Sequence, residues 1–126
     1  MDRLYIDTSP LGRVLLSEPD AAAIRSALEG SQSRIASRLT ALELRRVALR
    51  EGVADRVEAL LEGIAFVPLQ EHLLVAAETI EPSTVATLDA IHLATAVRVR
   101  ADAIMTYDRR LAAAAHDHGL QVLAPT

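Results

Sequence analysis

Cysteine and lysine are both missing from this 126-residue chain, and aromatic residues make up only 2% of it. Without cysteine there can be no disulfide, thiolate nucleophile, cysteine-ligated zinc or iron–sulfur cluster, and a reducing cytoplasm is the expected setting. Without lysine there is no P-loop ammonium, no Schiff-base amine and no lysine-dependent phosphoryl-transfer site. All 13 basic residues are arginine. Long apolar runs are also missing: no uncharged stretch reaches the roughly 18–20 residues of a membrane span, and the N-terminus lacks a basic segment followed by an apolar one. No membrane association is expected. The rings are Tyr5, Phe66 and Tyr107, too few to offer a platform for stacking successive bases.

What is present is an interior built from Ala, Leu, Val and Ile, within an apolar fraction of 51%. The length suits one domain over residues 1–126, with enough chain for a real core. The net charge of −4 opposes unspecific coating of nucleic acid, so a polyanion would need a local arginine patch or a bound cation.

Short apolar runs alternate with helical patterns along the chain. Leu4-Tyr5-Ile6 reads as a strand that stops at the turn and helix-start cluster Asp7-Thr8-Ser9-Pro10. Further strands are expected at 34–37, 64–67, 103–105 and 121–123. Helices are expected at 11–16, at 20–29 with Asp20 as N-cap and Gly30 at the end, at 40–51 closed by Gly52, and at 53–61, 71–80, 87–101 and from 109 to Gly119. Such alternation predicts right-handed crossovers and a parallel sheet covered on both faces.

In parallel α/β sheets, sites form at the carboxyl ends of the strands. Asp7 and Asp108 each follow a strand and precede a helix, which places them on one edge; helix capping would also explain either one. Asp89 sits within Leu88-Asp89-Ala90-Ile91, on a helix that packs inward, where an unpaired carboxylate is costly. A buried ion pair, or a first-turn acid beside a capping Thr87, is the alternative. Glu43 completes a capping-box pattern with Thr40 and could also pair with Arg46. Taken together, four gathered carboxylates repel one another by about 4 kcal/mol per pair at 4 Å and an effective dielectric near 20. A cation would relieve that repulsion, and oxygen-only ligands suit Mg²⁺ or Mn²⁺.

The runs Leu4-Tyr5-Ile6-Asp7-Thr8-Ser9, Ala41-Leu42-Glu43-Leu44, Leu88-Asp89-Ala90-Ile91-His92-Leu93-Ala94-Thr95-Ala96 and Ile104-Met105-Thr106-Tyr107-Asp108-Arg109-Arg110-Leu111, in that order, resemble PIN-domain nucleases of the VapC toxin type. The resemblance spans nearly the whole chain. It implies a PIN-like three-layer α/β fold with a five-stranded parallel sheet of order 3-2-1-4-5, and a Mg²⁺-dependent endoribonuclease. It also implies a homodimer and a cognate antitoxin as partner. The catalytic and metal-binding set it implies is Asp7, Glu43, Asp89 and Asp108, with Asp7 and Asp89 foremost and the hydroxyls of Ser9 and Thr106 in support. Some relatives carry a further acid where this chain has Arg110, so a second metal is not implied.

Arg13, Arg109 and Arg110 are candidates for contacting phosphates entering the acidic pocket, and ordinary solvation is the alternative for each. Arg45, Arg46 and Arg50 form a basic stripe that reads as a solvated face. His92, in apolar surroundings, is expected to be a hydrogen-bonded core histidine, and His116 and His118 to be exposed or to face a helix C-terminus. Competing functions are a noncatalytic PIN-like binding module, a phosphatase or receiver-like phospho-acceptor using Asp7, and a PIN nuclease acting on another nucleic acid. The missing lysine argues against the second, and the short chain against the third, whose members usually carry extra domains.

Overall fold

The computed structural model describes residues 2–126. Strand β1, Arg3–Ile6, runs up the middle of the sheet and is followed by α1, Thr8–Leu15, and α2, Ala21–Glu29. Strand β2, Ser33–Ser37, leads into α3, Arg38–Glu51. A 3-10 turn, Ala54–Arg56, then precedes α4, Val57–Leu61, and strand β3, Ala65–Val67. After α5, Glu71–Glu78, and α6, Thr87–Arg98, come β4, Ala103–Met105, α7, Arg109–Asp117, and β5, Gln121–Leu123.

The sheet has order β3-β2-β1-β4-β5 and every pairing is parallel. β1 meets β2 through Leu4 opposite Arg34 and Tyr5 opposite Ile35, and meets β4 through Tyr5 opposite Ile104 and Ile6 opposite Met105. Successive side chains of a strand alternate faces, and the two cores follow that alternation. Leu4, Ile6, Ala103 and Met105 pack with Leu11, Val14, Leu15, Ile24, Leu44 and Val57, beneath α1 to α4. Tyr5 and Ile104 face the other way, among Leu93, Ala96, Leu111, Ala114 and Ala115 of α6 and α7. The expected order and two-sided cover are what the chain adopts. Among the described residues no helix is long and apolar enough to cross a membrane.

Several element boundaries differ from the sequence reading for local reasons. α1 starts at Thr8, three residues earlier than expected, because Pro10 is accommodated in the first turn of a helix. α3 starts at Arg38 because Ser37, not Thr40, is its N-cap, accepting a hydrogen bond from the Leu39 N–H. The expected capping box is therefore absent: Thr40 is buried and its hydroxyl lies toward the Ile6 carbonyl. The stretch 53–61 is divided by the 3-10 turn, and α6 ends at Arg98, just before Arg100 takes a left-handed φ of 56°. Asp20 stands at the N-cap of α2 but does not cap it.

Gly52 closes α3 at φ 70° with its N–H on the last turn, a conformation that costs an L-residue about 1 kcal/mol. Gly12, inside α1, has open space where a Cβ would sit and no left-handed φ. Gly52→Ala is therefore expected to destabilise by about 1 kcal/mol and Gly12→Ala to stabilise by about 0.5–1 kcal/mol. Urea unfolding of the two variants beside wild type measures both signs.

Candidate active site

β1 sends its chain toward β2 on one side, whereas β4 and β5 lie on the other, so the strand order reverses between β1 and β4. In doubly wound sheets the crevice beyond the strand ends at such a reversal is where ligands sit. Asp7 and Thr106 both stand there, one residue past β1 and β4. The Asp7 N–H bonds the Met105 carbonyl at 3.1 Å, extending the parallel ladder to the first residue of the site.

Asp7 is buried, and its Oδ2 accepts from the Thr106 hydroxyl at 2.8 Å and the Ser9 hydroxyl at 3.2 Å. Although it holds the N-cap position of α1, its side chain makes no capping bond. The capping explanation thus fails for Asp7, which is instead hydrogen-bonded by Ser9 and Thr106. The two hydroxyls also fix the loop after β4: Ser9 Oγ accepts from the Tyr107 N–H at 3.0 Å and Thr106 Oγ1 from the Asp108 N–H at 3.1 Å.

Glu43 lies on α3 with its side chain 27% exposed. Its Oε1 accepts from Thr8 at 2.6 Å and from His92 Nε2 at 2.9 Å. Burial pushes the Glu43 carboxyl up, but the hydrogen bonds from His92 and Thr8 outweigh it and hold the group below the usual glutamate range. Asp108 is exposed and caps α7, its Oδ1 accepting from the Leu111 N–H at 2.9 Å. For this residue the capping explanation holds, with Oδ2 left over.

Asp89 is a first-turn acid of α6, as the alternative reading allows, but Thr87 is not the cap and Asp89 makes no hydrogen bond or ion pair with another described residue. The N-cap of α6 is Ala86. Burial, and then the negative fields of Asp108 and Asp7, push the Asp89 carboxyl up to about 6. The second part of that shift reflects acids brought near one another from α6, the N-cap of α7 and the end of β1.

His92 is a buried, hydrogen-bonded core histidine, as expected. Its Nδ1 faces the Tyr5 hydroxyl at 2.7 Å and its Nε2 also lies 3.5 Å from Asp7 Oδ1. Burial works against its charged form, but the hydrogen bond to Glu43 and the fields of Asp7, Glu43 and Asp89 leave it raised. Arg13 is held by Asp20 at 2.6 Å and lies 3.8 Å over the Tyr107 ring, whereas Arg109 and Arg110 are exposed beside Asp108. Arg45 pairs with exposed Glu58, and exposed His118 meets the Glu81 carbonyl. Thr8 and Tyr5 were not singled out in the sequence; a hydroxyl directly after Asp7 was the one visible signal.

Among the described residues, no three His, Asp or Glu side chains are spaced to hold a metal ion as they stand. The donor chemistry nevertheless fits a hard cation. Asp7 Oδ1, Glu43 Oε2, Asp108 Oδ2 and both Asp89 oxygens accept no hydrogen bond, and among the described residues the sole buried polar side-chain atom without a partner is Asp20 Oδ1, so these oxygens meet solvent. Mg²⁺ commonly takes one or two carboxylates and keeps its waters, so it does not require a closed protein cage.

The PIN domain family model matches residues 4–117. The mycobacterial protein Ribonuclease VapC47, from Mycobacterium tuberculosis, is 37% identical over 97% of this chain and 96% of its own length. Ribonuclease VapC46 of the same species is 33% identical over all of both chains. Among solved structures, a toxin–antitoxin complex from Klebsiella pneumoniae superposes with a TM-score of 0.78 at 22% identity over 98% of both chains. VapC20 of Mycobacterium tuberculosis, described as a sarcin–ricin loop cleaving toxin, gives 0.72 at 14% identity over 88% of this chain and 94% of that one. The chain belongs to the PIN-domain family, in its VapC ribonuclease branch.

A raised acid has a definite consequence for stability. The folded protein binds the Asp89 proton more tightly than the unfolded chain, whose value is 3.8. Ionised Asp89 therefore destabilises the fold above about pH 6, and the effect fades as pH falls toward 3.8. In chelator-treated protein, Asp89→Asn is expected to stabilise by about 1 kcal/mol at neutral pH after allowance for solvent screening. The gain shrinks in acid. Thermal melts of both proteins at pH 7.5 and pH 5 check this, and equal gains at the two pH values contradict it.

Proposed function

We propose that this chain is a metal-dependent endoribonuclease, the toxic member of a toxin–antitoxin pair, hydrolysing RNA phosphodiester bonds at the pocket of Asp7, Glu43, Asp89 and Asp108. The observation that carries the reading is the convergence of these acids at the strand-order reversal, with the Asp89 carboxyl raised to about 6 by burial and its acidic neighbours. Two mycobacterial relatives that match nearly the full chain bear the name ribonuclease, which supports RNA as the substrate.

Mg²⁺, with Mn²⁺ as substitute, would be held first by Asp7 and Asp89, with Glu43 and Asp108 completing the pocket. When bound it supplies an activated water and charge stabilisation for the leaving oxygen. The chain's own residues prepare this. Thr106 and Ser9 anchor one Asp7 oxygen and leave the other presented to solvent. Thr8 and His92 do the same for Glu43. Burial and its acidic neighbours raise the Asp89 carboxyl to about 6, and a cation held there would favour its ionised, ligating form. Arg109 and Arg110, exposed at the start of α7, are placed to receive phosphates through two-pronged hydrogen bonds.

The substrate expected is an unpaired loop of a folded RNA, since bases in a duplex are poorly accessible and this chain has few rings to stack on others. A cognate antitoxin and a second copy of the chain are the proposed partners, in the cytoplasm. α3 leaves Leu42 and Leu49 exposed, and α5 and α6 leave Val75 and Leu88 exposed, apolar surface of the kind that partners cover. Sedimentation of the purified chain is expected to give a dimer.

Partner-free protein incubated with mixed RNA and Mg²⁺ or Mn²⁺ is expected to cleave it, and EDTA to stop it. Asp7→Asn and Asp89→Asn are each expected to reduce cleavage by about 100-fold or more, as losses of a metal ligand do. Folded wild type that cuts no RNA with either metal would point instead to a noncatalytic PIN-like binding module.

A further inference from the structure

Directly behind the acidic pocket lies a buried polar pair, Tyr5 and His92, of which only the contact from His92 to Glu43 enters the chemistry above. Tyr5 is fully buried on β1 and His92 is 1% exposed on α6, three residues after Asp89 and thus on the same side of the helix. Their rings meet edge-on, with centroids 5.9 Å apart, and Tyr5 Oη is 2.7 Å from Nδ1. The neighbours on α6 are Leu93, Ala94 and Ala96, all buried. An apolar side chain would fill such a layer without the desolvation cost of an imidazole.

The other ring nitrogen faces two acids at once. Nε2 is 2.9 Å from Glu43 Oε1 and 3.5 Å from Asp7 Oδ1. An ionised carboxylate only accepts, so the hydrogen between His92 and Glu43 must sit on Nε2. We infer that His92 is a positioning residue: its Nε2–H, with the ring braced by the Tyr5 hydroxyl, sets the spacing of the Asp7 and Glu43 carboxylates and leaves one oxygen of each facing the pocket. The inference rests on the reading of that pocket as an RNA-cleaving, cation-binding site.

The hydrogen-bond pattern explains how this works. Thr8 and His92 both engage Glu43 Oε1, so the side chain is pinned by one oxygen and Oε2 is free. Thr106 and Ser9 pin Asp7 by Oδ2, and its Oδ1 is the atom nearest His92. A single N–H dipole thus lies between two like charges that come from β1 and α3. Without it Glu43 loses a donor and the positive end of that dipole no longer lies beside Asp7, so the two carboxylates move apart, since two nearby like charges repel. Tyr5 acts one step further back, by preventing the ring from turning.

The test compares wild type with His92→Leu, His92→Gln and Tyr5→Phe, each checked for folding by circular dichroism and melting. Mn²⁺ alone is titrated into metal-free protein and followed by electron paramagnetic resonance, and kcat and KM are measured on RNA. His92→Leu is expected to weaken Mn²⁺ binding about tenfold and lower kcat by about 10–100-fold, with KM for RNA little changed. His92→Gln, which keeps a donor, is expected to recover most of both. Tyr5→Phe falls between them, and adding it to His92→Leu costs nothing more, because the two act as one unit. Long-range proton–nitrogen spectra of the metal-free wild type should show the His92 hydrogen on Nε2. A folded His92→Leu protein with wild-type Mn²⁺ affinity and kcat would overturn the inference, as would an Nε2 without its hydrogen. Should His92→Leu not fold, Tyr5→Phe and His92→Gln decide: wild-type Mn²⁺ affinity in Tyr5→Phe, or a Gln variant as weak as a donorless one, overturns it. If wild type binds Mn²⁺ but cuts no RNA, the functional reading falls alone, because Mn²⁺ affinity and the ring spectrum still report on positioning.

Discussion

Like-charge repulsion at the carboxyl edge of the sheet is the constraint around which this molecule is arranged. Asp7, Glu43, Asp89 and Asp108 come from four different elements, and the fold brings them together although each carboxylate disfavours the next. Asp89 carries the cost: burial first, and then the fields of Asp108 and Asp7, raise its carboxyl to about 6. It is offset in Asp7 and Glu43 by donors aimed at single oxygens: Thr106, Ser9, Thr8 and His92. Three of these four are uncharged hydroxyls, which orient a carboxylate without neutralising it. Hydroxyls, unlike arginines, hold such a group in place while leaving its negative charge intact.

The sheet provides the rigidity this requires. β1 is buried on both faces, between the core beneath α1 to α4 and the core beneath α6 and α7. Its last residue, Ile6, is opposite Met105, and the ladder continues through the Asp7 N–H. The first acid therefore inherits the position of a fully packed strand. Small side chains contribute in a different way, since the Ala-rich faces of α6 and α7 let both helices lie close to the sheet and bring His92 to within hydrogen-bonding distance of Tyr5.

Much of this was legible in the sequence because it is local. Strands 103–105 and 121–123 match the structure residue for residue, as short apolar runs flanked by turn residues should. Asp7 and Asp108 could be placed on one edge from alternation alone. Thr40 and Glu43 had the right spacing for a capping box, but Ser37 already caps α3 and both side chains are committed to distant elements. The contact between Tyr5 and His92 spans 87 positions in sequence, so no local pattern encodes it. Arg13 stood out as a candidate for phosphate, but its place over the Tyr107 ring, 94 positions away, is set by the packing of α1 against the loop after β4 and has no local pattern.

Tyr107 joins that loop to the far end of the chain. Its N–H is held by Ser9, its ring lies under Arg13, and its hydroxyl donates to the Pro125 carbonyl. Thr126 then emerges beside Arg13, Glu18, Pro19 and Asp20. The loop that carries Asp108 is thus tied through Tyr107 to the segment after β5, so loosening that segment would loosen the loop as well.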